Sequence, residues 1–131
     1  MSGIFTQKGS TSDLYRKAQE VFQLSRQISN YLGYDLAKLS KNGTEDPHIY
    51  FTGDIVRQSS SLAPEILQAE LEVFSEDREK HFYSINRLLY LLNKNCDRLE
   101  LANSNGREFL KLLRKELKNF RKLQRTWMLK L

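Results

Sequence analysis

Apolar residues in this chain recur at alternating steps of three and four, a spacing that favours helices over strands. The repeat is clearest in one segment, where it comprises Phe82, Ile85, Leu89, Leu92, Cys96 and Leu99, with Leu88 widening the stripe. Because an α-helix turns once every 3.6 residues, side chains at these steps share one face of a helix. No segment of useful length alternates between apolar and polar residues as a half-buried strand does. The sequence therefore predicts an all-α protein.

The first of four predicted helices begins at Asp13, because an aspartate carboxylate at the N-cap accepts hydrogen bonds from unpaired first-turn amides. Residues 1–12 end in a Gly- and Ser-containing stretch and predict a flexible N-terminal segment. The stretch Asn42–Pro47 contains both a glycine and a proline and predicts the end of this helix. Its expected inner face comprises Leu14, Ala18, Val21, Phe22, Ile28, Leu32, Leu36 and Leu39.

The second predicted helix begins at about Pro47, since a proline at the first helical position loses no hydrogen bond. Pro64 lies within this helix, where it removes one backbone hydrogen bond and presses against the carbonyl of Ser60. We expect a kink near residues 59–61, where three serine hydroxyls can bind freed backbone groups. The expected inner face comprises Thr52, Ile55, Val56, Leu62, Ala63, Ile66, Leu67 and Leu71.

The third predicted helix begins at Ser75, where Glu76 and Asp77 place negative charge at the positive end of the helix dipole. A turn at Asn103–Gly106 separates it from the fourth helix. The apolar side of the fourth helix comprises Phe109, Leu110, Leu113, Leu117, Phe120, Leu123, Trp127 and Leu131. Because short turns make successive helices antiparallel neighbours, residues 13–131 are predicted to form one up-down-up-down four-helix-bundle domain.

Residues typical of catalytic and metal sites are sparse. The chain has two histidines, His48 and His81, and lacks paired cysteines, HExxH and the glycine-rich loops that bind phosphates. Asp77 and His81 are four residues apart, so we expect a weak ion pair between them. Cys96 belongs to an apolar stripe and is expected to be a buried core residue. These features predict a non-enzymatic protein without a metal or cofactor.

Three features predict a cytoplasmic protein. A single cysteine excludes an intramolecular disulfide, which fits a reducing compartment. The N-terminal residues lack the basic and apolar regions of a secretory signal. No apolar run approaches the length required to span a membrane.

Positive charge is concentrated in the last predicted helix. Residues 106–131 contain nine Lys and Arg against Glu108 and Glu116, a net charge of +7, whereas the other 105 residues carry a net charge of −2. The candidate nucleic-acid-binding residues are Arg107, Lys111, Arg114, Lys115, Lys118, Arg121, Lys122 and Arg125. Most of them recur at three- and four-residue steps opposite the apolar side. A solvated helix usually intersperses acids among its cations, and here Glu116 is almost alone.

Three kinds of partner would explain the excess of positive charge in this helix. Nucleic acid ranks first, because Lys and Arg bind phosphates with release of counterions and need no base-reading motif. An acidic protein ranks second, and the acid-rich segment 65–79 of another subunit is one such surface. A membrane surface ranks last, because the apolar side of the helix is needed to close the bundle and Trp127 is expected in the core or at a subunit contact.

The sequence also resembles a known family. The stretches IVRQSSSLAPEILQA (55–69), EKHFYSINRLLYLL (79–92) and LELA (99–102) are similar to the four-helix proteins encoded in 23S rRNA intervening sequences. FTGDIVRQ (51–58) resembles a second branch, the accessory variability determinants of diversity-generating retroelements. The resemblance extends from about Leu14 to Trp127.

The resemblance implies a pentameric assembly with a positively charged surface. In the retroelement branch it implies a reverse transcriptase and its template RNA as partners in mutagenic cDNA synthesis. In the intervening-sequence branch it implies association with RNA or the ribosome. We therefore expect a homo-oligomeric, nucleic-acid-binding accessory protein of a reverse transcriptase. The alternative is a structural or adaptor bundle whose basic helix docks on acidic protein or ribosomal RNA.

Overall fold

A computed structural model describes residues 12–37, 43, 46–102 and 105–131. Most of the described residues are helical and none is in a strand, which confirms the all-α prediction. The helices are α1 (Asp13–Leu36), α2 (Tyr50–Ser60), α3 (Leu62–Leu71), α4 (Ser75–Glu100) and α5 (Glu108–Lys130). Short 3₁₀ turns at Pro47–Ile49 and Asn105–Arg107 precede α2 and α5. Since α2 and α3 are two parts of one predicted helix, the described residues form the four expected helical segments.

Helix α1 begins at Asp13 as predicted, but Ser12 rather than Asp13 is its N-cap. The Ser12 hydroxyl accepts a hydrogen bond from the Tyr15 amide at 3.1 Å, and the Asp13 carboxylate pairs with the Arg16 side chain. The helix ends at Leu36, before the stop predicted at residues 42–47. The predicted inner residue Leu39, and the predicted flexible segment except for Ser12, lie outside the described residues.

At the predicted kink the helix is interrupted at Ser61, between α2 and α3, although the Ser61 backbone stays in the right-handed helical region. The Ser61 amide donates to the Gln58 carbonyl at 3.2 Å instead of continuing the α-helical pattern. The Arg57 carbonyl accepts from the hydroxyls of Ser60 and Ser61 at 2.9 and 3.0 Å. The serine hydroxyls therefore bind the Arg57 carbonyl, whose α-helical donor, the Ser61 amide, is directed to Gln58 instead. The carbonyl that Pro64 leaves without a backbone donor is that of Ser60.

Helix α4 begins at Ser75, and Glu76 and Asp77 occupy its first turn as predicted. The N-cap position belongs to Phe74, which makes no side-chain hydrogen bond to the helix. The helix start therefore depends on the dipole interaction of the two acids more than on a cap.

The core combines residues from all the helices. Its fully buried members of largest volume are Phe120, Leu14, Ile28, Leu32, Ile55, Leu62, Ile66, Ile85, Leu89, Leu92, Leu99 and Leu110. Three residues predicted to face inward are instead exposed: Leu71, Phe109 and Leu131, at 67%, 41% and 38%. All three lie at or beside helix ends, and Phe109 packs edge-to-face on Tyr31 of α1.

Several polar side chains lie inside the helical packing, and of these the sequence predicts only Thr52 to face inward. Asn95 donates to Gln58 at 2.9 Å, and Gln124 donates to Asn86 at 3.0 Å. Ser25 is fully buried, and its hydroxyl is without a hydrogen-bond partner among the described residues. These amide pairs join α2 to α4 and α4 to α5 through directional contacts.

Among the described helices, none combines the length and the apolar character that crossing a membrane requires.

Candidate nucleic-acid interface

The rotation of α5 about its axis is fixed by its buried side. Leu110, Leu113, Leu117 and Phe120 are buried, as predicted. Trp127 is 6% exposed, packs edge-to-face on Phe82 at 5.4 Å and donates its indole N–H to Glu70 at 2.8 Å. Trp127 is thus a core residue with a satisfied polar atom. The side of α5 opposite these residues faces solvent.

Five of the predicted contact residues form an open cationic surface on that side. Each is exposed and has no ion-pair or hydrogen-bond partner among the described residues. We call this surface the α5 cationic face, and it consists of Lys115, Lys118, Arg121, Lys122 and Arg125. The members repeat at three- and four-residue steps, so their side chains lie beside one another over about three helical turns.

Arg114 differs from these five because its guanidinium is held within the protein. It donates to both oxygens of Glu100 at 2.9 and 3.0 Å and also pairs with Asp97. The hydrogen bonds to Glu100 raise the pKa of Arg114, and Arg114 lowers the pKa of Glu100. Arg114 therefore joins α5 to α4 and is not part of the open surface. The sequence indicated this pair only through the expected antiparallel hairpin, which brings residues on either side of a turn together.

Two further predicted nucleic-acid contacts, Lys111 and Arg107, are not part of the α5 cationic face. Lys111 pairs with Glu108 at 3.0 Å, but both side chains are more than 70% exposed, so the pair exchanges readily with solvent and other ions. Arg107, in the turn before α5, has an interaction within the protein. We do not count either residue among the open cations.

The acid in the middle of α5 does not neutralise the cationic face. Glu116 accepts from Lys17 of α1 at 2.7 Å, and Lys17 also donates to Glu20 at 2.8 Å. The hydrogen bond to Glu116, followed by that to Glu20, raises the pKa of Lys17. Since Glu116 is directed to α1 and already paired, the open cations have no carboxylate from their own helix beside them.

Half of the acids in the acid-rich segment 65–79 are engaged with their own molecule. His81 contacts Glu65 through Nδ1 at 2.7 Å and Glu72 through Nε2 at 3.1 Å. The hydrogen bond to Glu65 is the main cause of a raised pKa at His81. The expected ion pair of His81 with Asp77 is therefore wrong, because the histidine turns towards α3. With Glu70 bound to the tryptophan, half of the six acids in this segment have internal partners.

Cys96 is fully buried, and its burial raises the pKa of the thiol to about 12. A thiol that remains protonated at neutral pH is a poor nucleophile. Across the described ranges, no group of three or more His, Cys, Asp or Glu residues is placed to hold a metal ion.

Comparisons with protein families, curated proteins and solved structures gave no match. Function is therefore inferred from the side chains of this chain.

Proposed function

We propose that this chain is a non-enzymatic, homo-oligomeric accessory protein that binds nucleic acid through the α5 cationic face. Following the family resemblance, its partner is a reverse transcriptase acting on template RNA and cDNA, and the partner supplies the chemistry. The contacts are mainly to phosphates, which explains the absence of any base-reading motif in the sequence.

The observation that supports this proposal is the set of five exposed cations that pair with no carboxylate of the described residues. Like charges at three- and four-residue steps repel one another by a few tenths of a kcal/mol per pair. A phosphate backbone removes this repulsion and releases its condensed counterions, which favours binding. Lys111 extends the surface by one turn, because its exposed pair with Glu108 opens at little cost.

We further infer that the four helical segments run up, down, up and down. Three pairs of contacts support antiparallel neighbours, because residue numbers rise on one helix as they fall on the other. The pairs are Lys17–Glu116 with Tyr31–Phe109 for α1 and α5, Gln58–Asn95 with Glu65–His81 for α2/α3 and α4, and Asn86–Gln124 with Phe82–Trp127 for α4 and α5.

Oligomer formation rests on the resemblance, which implies a pentamer, and on exposed apolar surface. Leu71, Val73 and Phe74 are 67%, 79% and 63% exposed at the turn between α3 and α4. A cluster of large apolar side chains is typical of a subunit contact.

The second candidate function is an adaptor whose basic helix docks on acidic protein. A head-to-side contact between α5 and segment 65–79 of another subunit is its most specific form. The internal pairing of Glu65, Glu70 and Glu72 leaves fewer carboxylates for such a contact. Nucleic acid is the better-supported polyanion.

The proposal is tested by reversing two charges of the face in Lys122→Glu/Arg125→Glu. The matched control, Arg26→Glu/Arg57→Glu, makes the same change of formal charge on exposed side chains of α1 and α2. Fluorescence anisotropy with labelled RNA and DNA oligonucleotides measures the nucleic-acid affinity of both variants. We expect the α5 variant to lose about tenfold or more in affinity, whereas the control stays close to the original, because salt screens charges beyond about 8 Å at physiological ionic strength.

Equal losses in both variants, or no binding by the original protein, would contradict the proposal. Light scattering of the same samples separates the second candidate. If the assembly dissociates on reversal of the α5 charges and the original never bound nucleic acid, the cationic face serves protein docking.

A further inference from the structure

Helix α4 carries a second exposed stripe in which aromatic and cationic side chains alternate. Its members are Tyr83, Arg87, Tyr90 and Lys94, at steps of four, three and four residues, and all are exposed. Tyr83 and Tyr90 are 68% and 57% exposed. Neither tyrosine has a hydrogen-bond or ring partner among the described residues, and neither cation has an ion pair there. Both rings are thus more than half exposed, and no hydrogen bond or ring contact from the described part of the chain holds them.

This stripe lies along the edge of α4 that meets α5. Asn86 contacts Gln124 of α5, and Asp97 contacts Arg114 of α5. Tyr90 lies four residues after Asn86 and seven residues before Asp97, and residues at these spacings lie on the same face of a helix. Tyr90 is therefore located between two points where the helices touch.

The same stretch of α5 contributes members of the cationic face. Lys118 and Arg121 are located between Arg114 and Gln124, so they lie at the level of Tyr90 on the neighbouring helix. At the next level, Phe82 packs on Trp127, which places Tyr83 near the end of α5 that carries Arg125. Exposed rings on α4 therefore run beside exposed cations on α5.

We propose that this surface binds single-stranded nucleic acid, with bases stacked on Tyr83 and Tyr90 and phosphates bound by the α5 cationic face. This inference rests on the proposed function and specifies its substrate. Proteins that bind single strands without base-specific contacts combine aromatic platforms with a cationic track along the backbone. A duplex hides the faces of its bases within the stack, so the tyrosines contribute to binding only when the bases are unpaired.

The spacing of the two rings suits a short run of nucleotides. Seven residues separate them, which is a rise of about 10.5 Å along a helix. Stacked bases rise about 3.4 Å per nucleotide, so about three nucleotides cover this distance. Arg87 and Lys94 alternate with the rings on α4 and provide phosphate contacts on the other side of the strand from the α5 cations.

The test compares the double variant Tyr83→Ala/Tyr90→Ala with the original protein. The ligands are a labelled oligo(dT) of about 20 nucleotides, longer than the usual single-strand site, and a mixed-sequence duplex of the same length. Since stacking contributes roughly 1–3 kcal/mol per base, we expect the affinity for oligo(dT) to fall at least about fivefold per ring. We expect the affinity for the duplex to change by less than about twofold, because phosphate contacts are retained.

Two further variants serve as controls. Tyr83→Phe/Tyr90→Phe keeps both rings and is expected to bind oligo(dT) like the original protein. Tyr50→Ala removes a tyrosine that is 70% exposed on α2 and is expected to have no effect on either ligand. Circular dichroism of all variants establishes that loss of binding is not loss of folding.

Unchanged binding of oligo(dT) by the Ala variant, or an equal loss of duplex binding, would overturn the inference. A change in oligomeric state of that variant, measured by light scattering, would also overturn it, since the rings would then be a subunit contact. If Lys122→Glu/Arg125→Glu loses both ligands while the Ala variant binds both normally, this inference fails and the proposed function stands. If the original protein binds neither ligand, both fail.

Discussion

Arg114 provides a way to separate cations that hold the fold from cations that bind a ligand. Its guanidinium donates to Glu100 at 2.9 and 3.0 Å and also contacts Asp97, which joins α5 to the end of α4. Replacing it in Arg114→Gln removes the positive charge between two carboxylates and leaves them close together. We expect this variant to be less stable while its nucleic-acid affinity changes by less than about twofold, because the guanidinium is not part of the α5 cationic face.

The size of the stability loss follows from the geometry. A hydrogen bond to a charged group contributes about 1.5–3 kcal/mol. The Arg114 and Glu100 side chains are 31% and 35% exposed and Asp97 is 58% exposed, so solvent screening weakens the arrangement. We therefore expect the free energy of unfolding to fall by about 1–2 kcal/mol at neutral pH.

The stability loss caused by Arg114→Gln should be smaller at acidic pH than at neutral pH. Arg114 lowers the pKa of Glu100 in the folded protein. The stabilisation is thus present above the ordinary glutamate pKa of about 4.3 and is lost as the pH falls through the lowered folded value. Urea denaturation followed by circular dichroism at pH 7 and at about pH 3 measures the difference between the original protein and the variant.

Three outcomes would refute the reasoning about Arg114. The first is a stability difference that is equal at both pH values. The second is a variant as stable as the original protein. The third is a loss of nucleic-acid binding comparable to that of Arg121→Gln, which we expect to weaken binding without reducing stability.

Three further predictions concern stability, measured as the free energy of unfolding in urea. His81→Gln should be destabilising below about pH 6.5 and progressively less so as the pH rises through the raised folded pKa of His81. A stability difference that grows with pH would contradict the pairing of His81 with Glu65 and Glu72. Gly106→Ala should lower the free energy of unfolding by about 1–2 kcal/mol, because a Cβ there would lie 2.6 Å from a ring carbon of Tyr31. A neutral or stabilising effect would show that the ring moves aside freely. Phe120→Ala should cost about 3–5 kcal/mol because the ring is fully buried, and a loss below about 1 kcal/mol would contradict its place in the core.

The helix positions could be predicted from the sequence because apolar periodicity and turn residues are local signals. The starts of α1 and α4 and a kink near residues 59–61 are predicted in this way, and the helix is interrupted at Ser61. The Ser12 cap was not, since Ser12 and Asp13 are both good cap residues and the sequence does not order them. The exposure of Leu71 was also missed, because periodicity does not indicate where the covering helices end.

The α5 cationic face could be predicted only in part, because its composition depends on contacts between helices. Helical spacing placed Arg114 and Arg121 on the same side of α5, although only Arg121 remains open. The difference arises from Glu100, a residue of another helix whose position depends on how the helices pack. The aromatic stripe of α4 is hard to recognise in the sequence, because Tyr83 and Tyr90 belong to a segment whose apolar pattern by itself predicts a core helix.

The salt dependence of nucleic-acid affinity tests the central claim most directly. If the five cations of the α5 cationic face bind phosphates, the logarithm of affinity should fall by roughly 0.7–0.9 per contact for each unit of log salt. Lys122→Gln/Arg125→Gln should reduce that slope by about 2, because two phosphate contacts are removed. An affinity that does not change with salt, or a slope that the variant leaves unaltered, would contradict binding through this face.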